Sequence, residues 1–370
     1  MKRFLLFIAA ISLTFGTLRA QTPGQAAAPA ADSAAASVMP GSDTVSVMPG
    51  RDTVSVMPAA PAADSAVASV MPGRDRASVD TTRFVPDESI AFAQYDTLTL
   101  EMDLYFPTDD AEQHRCIIYS YGGGFIDNNQ RHIETRALCR RLADDGFVVV
   151  ATNYRLGLRG VQFKGPASMV KPLEEAIRMA TEDVMKVTRY VLDYASELTV
   201  DPAQVILIGS SAGAITSLQC DFERCNATDL AQQYLPDGFR YAGVIAFSGA
   251  IFSRRGLNYR YDTPAPTFFL HGTADRLVPY RQIKIFNIGF FGSDRVAGRF
   301  KKEHYTHKIL RFTDEGHTVA ARYFTNYSDV LWFIDNVIST GRHYEIDETF
   351  YDPDRPKSPW DTADPNSLYK

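Results

Sequence analysis

The sequence predicts an α/β domain with a mostly parallel central sheet, and two observations lead to this fold class. Between about residues 81 and 340, runs rich in valine, isoleucine and aromatic residues alternate with segments of helical periodicity, a pattern typical of a parallel sheet flanked by helices. Several runs are apolar at every position, as in Gly146-Phe147-Val148-Val149-Val150, which suits strands buried on both faces. We therefore expect one domain of this class over residues 81–340.

The elements of this domain follow from their periodicity. Helical patterns cover residues 131–145 and 172–196, and a further helix is expected to start near Val319. The tail 341–370 has aromatic residues and prolines without a period, and we expect it to lie irregularly on the surface. Apolar runs predict strands at residues 98–105, 115–121, 147–154, 204–209, 241–248, 266–271 and 307–312.

The composition indicates a folded globular protein without a nucleic-acid partner. Hydrophobic residues make up 45% of the 370 positions, which is enough to bury a large core. The formal net charge is −6, and a mildly acidic chain lacks the positive field that nucleic-acid binding requires. The sequence leaves the oligomeric state open.

The N-terminus has the form of a secretory signal peptide. Lys2 and Arg3 precede an apolar run from Phe4 to Phe15, and a small residue, Ala20, follows. The run is shorter than the roughly 20 residues that span a bilayer, so we expect cleavage after residue 20 instead of a membrane anchor. The mature protein is then expected to be exported, periplasmic or extracellular, with no integral membrane segment.

Residues 21–80 differ from the rest and are expected to form a disordered spacer. They repeat the motif Ser-Val-Met-Pro-Gly and contain almost no aromatic residues. A proline in each copy disfavours a stacked repeat, and the composition is that of a flexible linker. Four Asp-Ser/Thr-aliphatic triplets within this tract resemble a bacterial O-glycosylation sequon, which gives a secondary hypothesis.

The four cysteines leave their pairing open. Export would place them in an oxidising compartment, where disulfides persist, and four cysteines allow three pairings that a sequence cannot distinguish. A cysteine within a strand or a helix is also often a small buried apolar residue. The residues concerned are Cys116, Cys139, Cys220 and Cys225.

The strongest chemical signal is the segment Gly209-Ser210-Ser211-Ala212-Gly213. It follows the apolar run Val205-Ile206-Leu207-Ile208 and precedes a helical pattern. A G-x-S-x-G motif between a strand and a helix forms a tight turn that projects the central serine from the sheet edge. The helix dipole there favours developing negative charge. We therefore predict Ser211 as a nucleophile, with Ser210 facing away from the substrate.

A second signal is the glycine run Tyr121-Gly122-Gly123-Gly124-Phe125, directly after a predicted strand. Acyl transfer passes through a tetrahedral oxyanion, which requires preorganised N–H donors and a backbone that can approach closely. We therefore predict that the N–H groups of Gly123, Gly124 and Ala212 form an oxyanion hole.

The acid and the base are expected at later strand ends, in the order serine, aspartate, histidine. Asp275 follows a predicted strand, and His317 follows the next one. We predict that His317 accepts the proton of Ser211 and that Asp275 fixes the tautomer of the histidine. Asp314 is a rival acid, but its closeness in sequence gives a poor angle to the imidazole. His271 is interpreted as a residue that braces the loop.

Together these motifs resemble the α/β-hydrolase superfamily, in its carboxylesterase and hormone-sensitive-lipase-like branch. The segment 121–125 matches the Y/H-G-G-G-F loop of that branch. Asn153-Tyr154-Arg155-Leu156 is similar to its D-Y-R-L strand end, with Asn153 in place of the usual acid. The chain looks closest to secreted bacterial acetyl-xylan and feruloyl esterases. The resemblance implies an α/β-hydrolase fold. We expect the substrate pocket to draw on Phe125, Tyr154, the 155–170 loop and the 221–240 segment.

These features predict a serine carboxylesterase that hydrolyses short-chain or aromatic esters through an acyl-Ser211 intermediate. Its substrate would be a small molecule or an ester on a polysaccharide side group. Such a reaction requires neither a metal nor an organic cofactor. Two other functions stay open: an exopeptidase or amidase on the same fold, and a binding module without catalysis. The small residues after Ser211 disfavour the peptidase, and the complete set of triad residue types disfavours the binding module.

Overall fold

The computed structural model describes residues 81–164 and 166–365. The predicted signal peptide, residues 1–20, and the whole of the predicted spacer, residues 21–80, lie outside the described residues. Within the described part of the chain, no helix has both the length and the apolar content needed to cross a bilayer.

Over the described residues, the central sheet has nine strands in the order β1-β2-β4-β3-β5-β6-β8-β11-β12. Only β2 runs antiparallel to its two neighbours, and all other adjacent pairs are parallel. A second sheet has the order β7-β10-β9 and is antiparallel. The strands are β1 (Glu88–Tyr95), β2 (Leu98–Tyr105), β3 (His114–Ser120), β4 (Phe147–Thr152), β5 (Val200–Ser210), β6 (Gly243–Phe247), β7 (Ala250–Ser253), β8 (Thr267–Gly272), β9 (Gln282–Ile285), β10 (Ile288–Gly292), β11 (His307–Phe312) and β12 (Glu345–Phe350).

Helices connect most of the parallel strands, whereas the connection from β6 to β8 contains β7 and no helix. The longest is α2, whose Pro172 lies in its second turn. The α-helices are α1 (Ile133–Asp144), α2 (Pro166–Asp193), α3 (Ala212–Cys225), α4 (Asp229–Tyr234), α5 (Ser293–Lys302) and α6 (Tyr327–Phe333).

The continuous apolar runs are explained by burial of both faces of the central sheet. Successive side chains of a strand point to opposite faces, so Ile206 and Ile208 of β5 join one apolar core while Val205 and Leu207 join the other. All four side chains are at most 2% exposed. The predicted class, a mostly parallel sheet flanked by helices, is confirmed.

The structure contains strands that the sequence did not predict. β1 is an antiparallel edge strand in which every side chain is exposed or only partly buried, and β7, β9 and β10 are short. The tail after residue 340, expected to be irregular, includes β12, which pairs in parallel with β11. Its sequence, Glu345-Ile346-Asp347-Glu348-Thr349-Phe350, is mostly exposed, so backbone pairing, and not an apolar pattern, determines this strand.

The helix expected near Val319 also begins later than predicted. Residues His317–Ala321 form a 3₁₀ turn, and α6 starts only at Tyr327. The four cysteines are buried free thiols. Burial raises the pKa of each of these thiols, so they act as small apolar groups.

Candidate active site

The predicted nucleophile lies on a strained turn between β5 and α3. Ser211 has a φ of 51° and a ψ of −117°, which is unusual for a residue with a side chain. Its N–H donates to the carbonyl oxygen of Phe247 at the end of β6 (2.8 Å). A Cβ at Gly209 would lie 2.3 Å from the carbonyl oxygen of Gly213, and a Cβ at Gly213 would lie 2.0 Å from that of Ser120. Gly209 is therefore required for the turn to close, and Gly213 for the turn to pack against the end of β3.

The structure brings the three predicted triad residues into one hydrogen-bonded chain. The Oγ atom of Ser211 lies 2.7 Å from Nε2 of His317. Nδ1 of the same imidazole lies 2.7 Å from Oδ2 of Asp275. Asp275 follows β8, and His317 follows β11, the next strand of the sheet. Because the two strands are parallel, their carboxyl ends meet at one edge of the sheet.

Asp275 is held as a carboxylate by several donors. Its side chain is fully buried, and burial by itself raises the pKa of a carboxyl group. Hydrogen bonds from His271 and His317 outweigh the burial, so the pKa of Asp275 lies below its ordinary value. Its other oxygen, Oδ1, accepts the N–H groups of Leu277 and Val278. The aspartate is thus ionised and fixed in position.

The sequence predicted only part of the role of His271, namely that it braces the loop. It is fully buried, its Nδ1 lies 2.8 Å from Oγ of Ser293, and its Nε2 lies 3.2 Å from Oδ2 of Asp275. This second contact is a hydrogen bond when Nε2 carries the ring proton. His271 therefore braces the triad carboxylate itself, in addition to the loop.

The glycine run lies directly beside the nucleophile. A Cβ at Gly122 would be 3.2 Å from Cβ of Ser211. Gly123 has a φ of 135°, and a Cβ there would be 2.0 Å from the carbonyl oxygen of Asp127. Ala212 is the first residue of α3, where backbone N–H groups have no intrahelical acceptor. The three predicted oxyanion donors, including Gly124, therefore belong to two segments that flank Ser211.

Phe125 and Tyr154 do not line an open pocket, which corrects the expectation from the sequence. Each is only 1% exposed, and their rings meet edge to face at 6.1 Å. The hydroxyl of Tyr154 donates to the carbonyl oxygen of Tyr121 (2.6 Å). Asn153 accepts a hydrogen bond from the hydroxyl of Tyr121 (2.8 Å). The large rings of Phe125 and Tyr154 fill the core behind the glycine run and thereby hold it in place.

The rival acid Asp314 takes no part in this chain of hydrogen bonds, and Ser210, which is expected to face away from the substrate, bonds elsewhere. Asp314 is exposed, and the ring nitrogen that it would have to reach is already paired with Asp275. Ser210 donates its hydroxyl to the carbonyl oxygen of Ala320 (2.7 Å). Ser210 thus connects the elbow to the segment after His317, and its side chain is not directed as a nucleophile.

The C-terminal segment also reaches the site, which the sequence did not indicate. The indole of Trp360 lies 6.4 Å from the imidazole of His317, measured between ring centres. The carboxylate of Asp361 accepts the N–H of Gly316 and the hydroxyl of Thr318, the two neighbours of His317. Trp360 and Asp361 belong to no apolar pattern or local motif, so their contacts with the His317 loop could not be predicted from the sequence.

Comparison with known proteins agrees with the architecture described above. Residues 102–251 match the BD-FAE family model, which represents an α/β-hydrolase esterase family. The matched range includes the glycine run and the Ser211 elbow but not Asp275 or His317. No curated protein matches this chain significantly in sequence.

Solved structures of an esterase from the planctomycete Thermogutta terrifontis, Est2, have a similar fold. The propionate-bound form has a TM-score of 0.51 at 20% identity and covers 68% of this chain and 94% of its own. The native form has a TM-score of 0.50 at 21% identity, with 68% and 92% covered. The butyrate-bound form has a TM-score of 0.50 at 20% identity, with 68% and 94% covered. The chain therefore has the α/β-hydrolase fold, and the part that carries its serine elbow matches the model of an esterase family.

Proposed function

We propose that this protein hydrolyses carboxylic esters through an acyl-Ser211 intermediate. The observation that carries the proposal is the continuous chain of short hydrogen bonds from Ser211 through His317 to Asp275, at 2.7 Å for each step. This connects a nucleophile to a base and the base to an orienting carboxylate, which is the requirement for nucleophilic catalysis by serine.

In the acylation step, a proton moves along this chain of hydrogen bonds from the serine towards the histidine. The hydroxyl oxygen of Ser211 attacks the ester carbonyl carbon while its proton moves to Nε2 of His317. The imidazolium that forms is stabilised by Asp275, which holds the Nδ1 proton. The low pKa of Asp275 keeps the negative charge on the carboxylate, so the proton stays on the imidazole.

The tetrahedral intermediate places a negative charge beside the glycine run. We assign this oxyanion to the N–H groups of Gly123 and Ala212, with Gly124 as the third predicted donor. Backbone donors that are already in place cost no reorganisation during the reaction. The glycine run is braced by the buried aromatic rings behind it, which favours such preorganisation.

Collapse of the intermediate releases the alcohol and leaves the acyl-enzyme. His317 donates its proton to the departing alkoxide oxygen, and the ester bond to Ser211 remains. Water then attacks this ester with His317 as the base, and the acid leaves as Ser211 regains its proton. Every step uses groups of this chain and water, so the proposal requires no cofactor.

The acyl group is proposed to be short. The Est2 structures that share this fold hold propionate and butyrate, and both are short-chain acyl products. The aromatic acyl groups, the polysaccharide side-group esters and the acetyl-xylan or feruloyl specificity expected from the sequence stay proposals. Export to the periplasm or the medium is likewise a proposal, and its supporting sequence lies in residues 1–20.

Replacement of the nucleophile tests the proposal directly. Ser211→Ala should lower kcat for 4-nitrophenyl acetate by about 10⁵- to 10⁶-fold, because the triad acts as one unit. It should also abolish labelling by a fluorophosphonate probe. The matched control is Ser210→Ala, which removes a neighbouring hydroxyl that bonds to Ala320 and should retain labelling.

Acetyl, butyryl and feruloyl esters and a dipeptide chromogen, assayed with the purified protein, would define the substrate class. Hydrolysis of acetyl and butyryl esters well above the dipeptide supports an esterase. Preference for the dipeptide would instead assign a peptidase, and turnover that survives Ser211→Ala would exclude Ser211 from the mechanism.

A further inference from the structure

Residues 355–361 follow β12 in the chain and contact the loop that carries His317. Oδ1 of Asp361 accepts the N–H of Gly316 at 3.0 Å and the hydroxyl of Thr318 at 2.6 Å. The approach is close because Gly316 has no side chain: a Cβ there would lie 2.5 Å from Cα of Asp361. The C-terminal segment is thereby fixed to both neighbours of His317.

Asp361 is itself held by a buried ion pair. Arg355 donates to both carboxylate oxygens at 2.8 Å, and the two side chains are 7% and 8% exposed. The N–H of Ser358 donates to Oδ2 (2.8 Å), and the Ser358 hydroxyl caps the 3₁₀ turn Pro359–Asp361. Bidentate arginine–carboxylate pairs are strong and directional, so the backbone around residue 360 is held rigidly.

This rigid turn presents Trp360 at the site. The indole is 6.4 Å from the imidazole of His317 between ring centres, at an angle of 54°, yet it remains 50% exposed. A large apolar side chain half exposed on a rigid turn, beside a reacting group, offers a flat surface to a bound molecule.

The chemistry of the proposed reaction indicates which part of an ester meets this surface. His317 must donate a proton to the departing alkoxide oxygen, so the alcohol portion leaves on the side of the imidazole. The acyl portion stays on Ser211. A group beside the imidazole is therefore suited to contact the alcohol and not the acyl group.

We propose that Trp360 binds the alcohol portion of the ester and selects for alcohols that contain a ring, either an aryl group or a sugar. A flat indole face stacks on an aryl ring and covers the apolar C–H face of a sugar, whereas a small alkyl alcohol gains little from it. This inference rests on the proposed ester hydrolysis.

Acetate esters of different alcohols isolate this contact. They all form the same acetyl-Ser211, so deacylation is identical and the alcohol influences only acylation, which kcat/KM reports. Trp360→Ala should lower kcat/KM about five- to tenfold for phenyl acetate and for an acetylated xyloside, in line with one aromatic contact. It should change kcat/KM for ethyl acetate less than twofold.

Trp360→Phe retains an aromatic ring and should keep most of the selectivity, whereas Trp360→Leu should lose it although it remains apolar. Trp332→Ala is the matched control, because Trp332 is the only other tryptophan of the sequence. It lies on α6, where its ring packs against Lys308 and Tyr344. This variant should leave the ratio of aryl to alkyl acetate turnover unchanged.

Two results would overturn the inference. One is an equal decrease for every acetate in Trp360→Ala and Trp360→Leu, which would indicate a structural role alone. The other is unchanged selectivity in both variants. In either case the wild-type protein still hydrolyses the esters, so the proposed function survives. Absence of ester hydrolysis by the wild-type protein would instead remove the proposed function and this inference together.

Discussion

The two sides of the candidate active site are held by different physical means. On the nucleophile side, backbone sterics determine the geometry: Ser211 adopts a strained φ, and the glycines around it allow backbone contacts that a Cβ would block. On the acid–base side, Asp275 and His317 are held by side-chain hydrogen bonds from other segments.

The two sides also differ in how far apart in the sequence their contacting residues lie. Gly209 and Gly213 meet across a single turn of the chain. By contrast, Thr318 and Asp361, which hold the histidine loop, are 43 residues apart, and Ser210 reaches Ala320 over 110 residues. The serine turn itself is thus closed by a local contact, although it also packs against Ser120 and bonds to Phe247, while the acid–base side depends on side chains from the C-terminal part of the domain.

The difference implies different sensitivities. Added bulk should damage the nucleophile side, because close-packed backbone leaves no room for relaxation. Loss of charge or of a hydrogen-bond acceptor should damage the acid–base side, where polar groups are buried and depend on their partners. Substitutions of each kind test this comparison.

Among the variants that compare the two sides, the largest effect is expected for Asp275→Asn. The amide cannot hold the imidazole in the tautomer that accepts the proton of Ser211, so kcat for 4-nitrophenyl acetate should fall about 10⁴-fold. The fold should persist, because the substitution conserves shape. Steady-state kinetics together with circular dichroism would check both points.

Asp314→Asn is the matched control for that variant. Asp314 lies three residues before His317 but is exposed, and its φ of 57° is one that asparagine adopts readily. Activity should stay within about twofold of the wild-type value. A loss in Asp314→Asn comparable to that in Asp275→Asn would contradict the assignment of the acid.

A smaller effect is expected for Gly123→Ala on the nucleophile side. The added Cβ would lie 2.0 Å from the carbonyl oxygen of Asp127, so the glycine run must shift. The loss of an aligned oxyanion donor should lower kcat about 10²- to 10³-fold. Gly160→Ala is the control, since Gly160 also has a positive φ, of 75°, but a Cβ there would have nothing within 4 Å. Activity of Gly123→Ala close to wild type would remove this loop from the proposed oxyanion hole.

The same contrast explains how much of the fold could be predicted from the sequence. The strands that cross the centre of the sheet are apolar on both faces, so β3, β4, β5, β8 and β11 were all predicted within a few residues. The exposed edge strand β12 carries three acidic residues among its six and is formed by pairing with β11. The sequence of such a strand contains no core-facing pattern, so it was expected to be irregular.

The candidate site likewise has residues that could be predicted from the sequence and residues that could not. The G-x-S-x-G and glycine motifs are short, and their steric requirements can be recognised directly in the residues. The prediction for Phe125 and Tyr154 was wrong because large aromatic residues near a catalytic loop suit both a pocket and a core, and only burial distinguishes the two. The contact of Trp360 with His317 arises from tertiary packing, which no local pattern encodes.

The smallest effect concerns the ion pair that holds the histidine loop. Burial raises the pKa of Asp361, but hydrogen bonds from Arg355, Ser358, Thr318 and Gly316 outweigh it, and the pKa lies below the ordinary aspartate value. A group with a lowered native pKa contributes its full stability above its unfolded pKa of about 3.9. The contribution is lost as the pH falls through the native pKa.

Asp361→Asn should therefore lower the free energy of unfolding by about 1–3 kcal/mol at pH 7, where charged hydrogen bonds are lost. The difference from wild type should shrink below about pH 4, as measured by urea unfolding from pH 7 to pH 3. Asp193→Asn removes an exposed pair with Arg189 and should cost less than about 1 kcal/mol. A difference for Asp361→Asn that stays constant down to pH 3 would mean that packing, and not charge, holds the acid–base side, and the contrast between the two sides would then disappear.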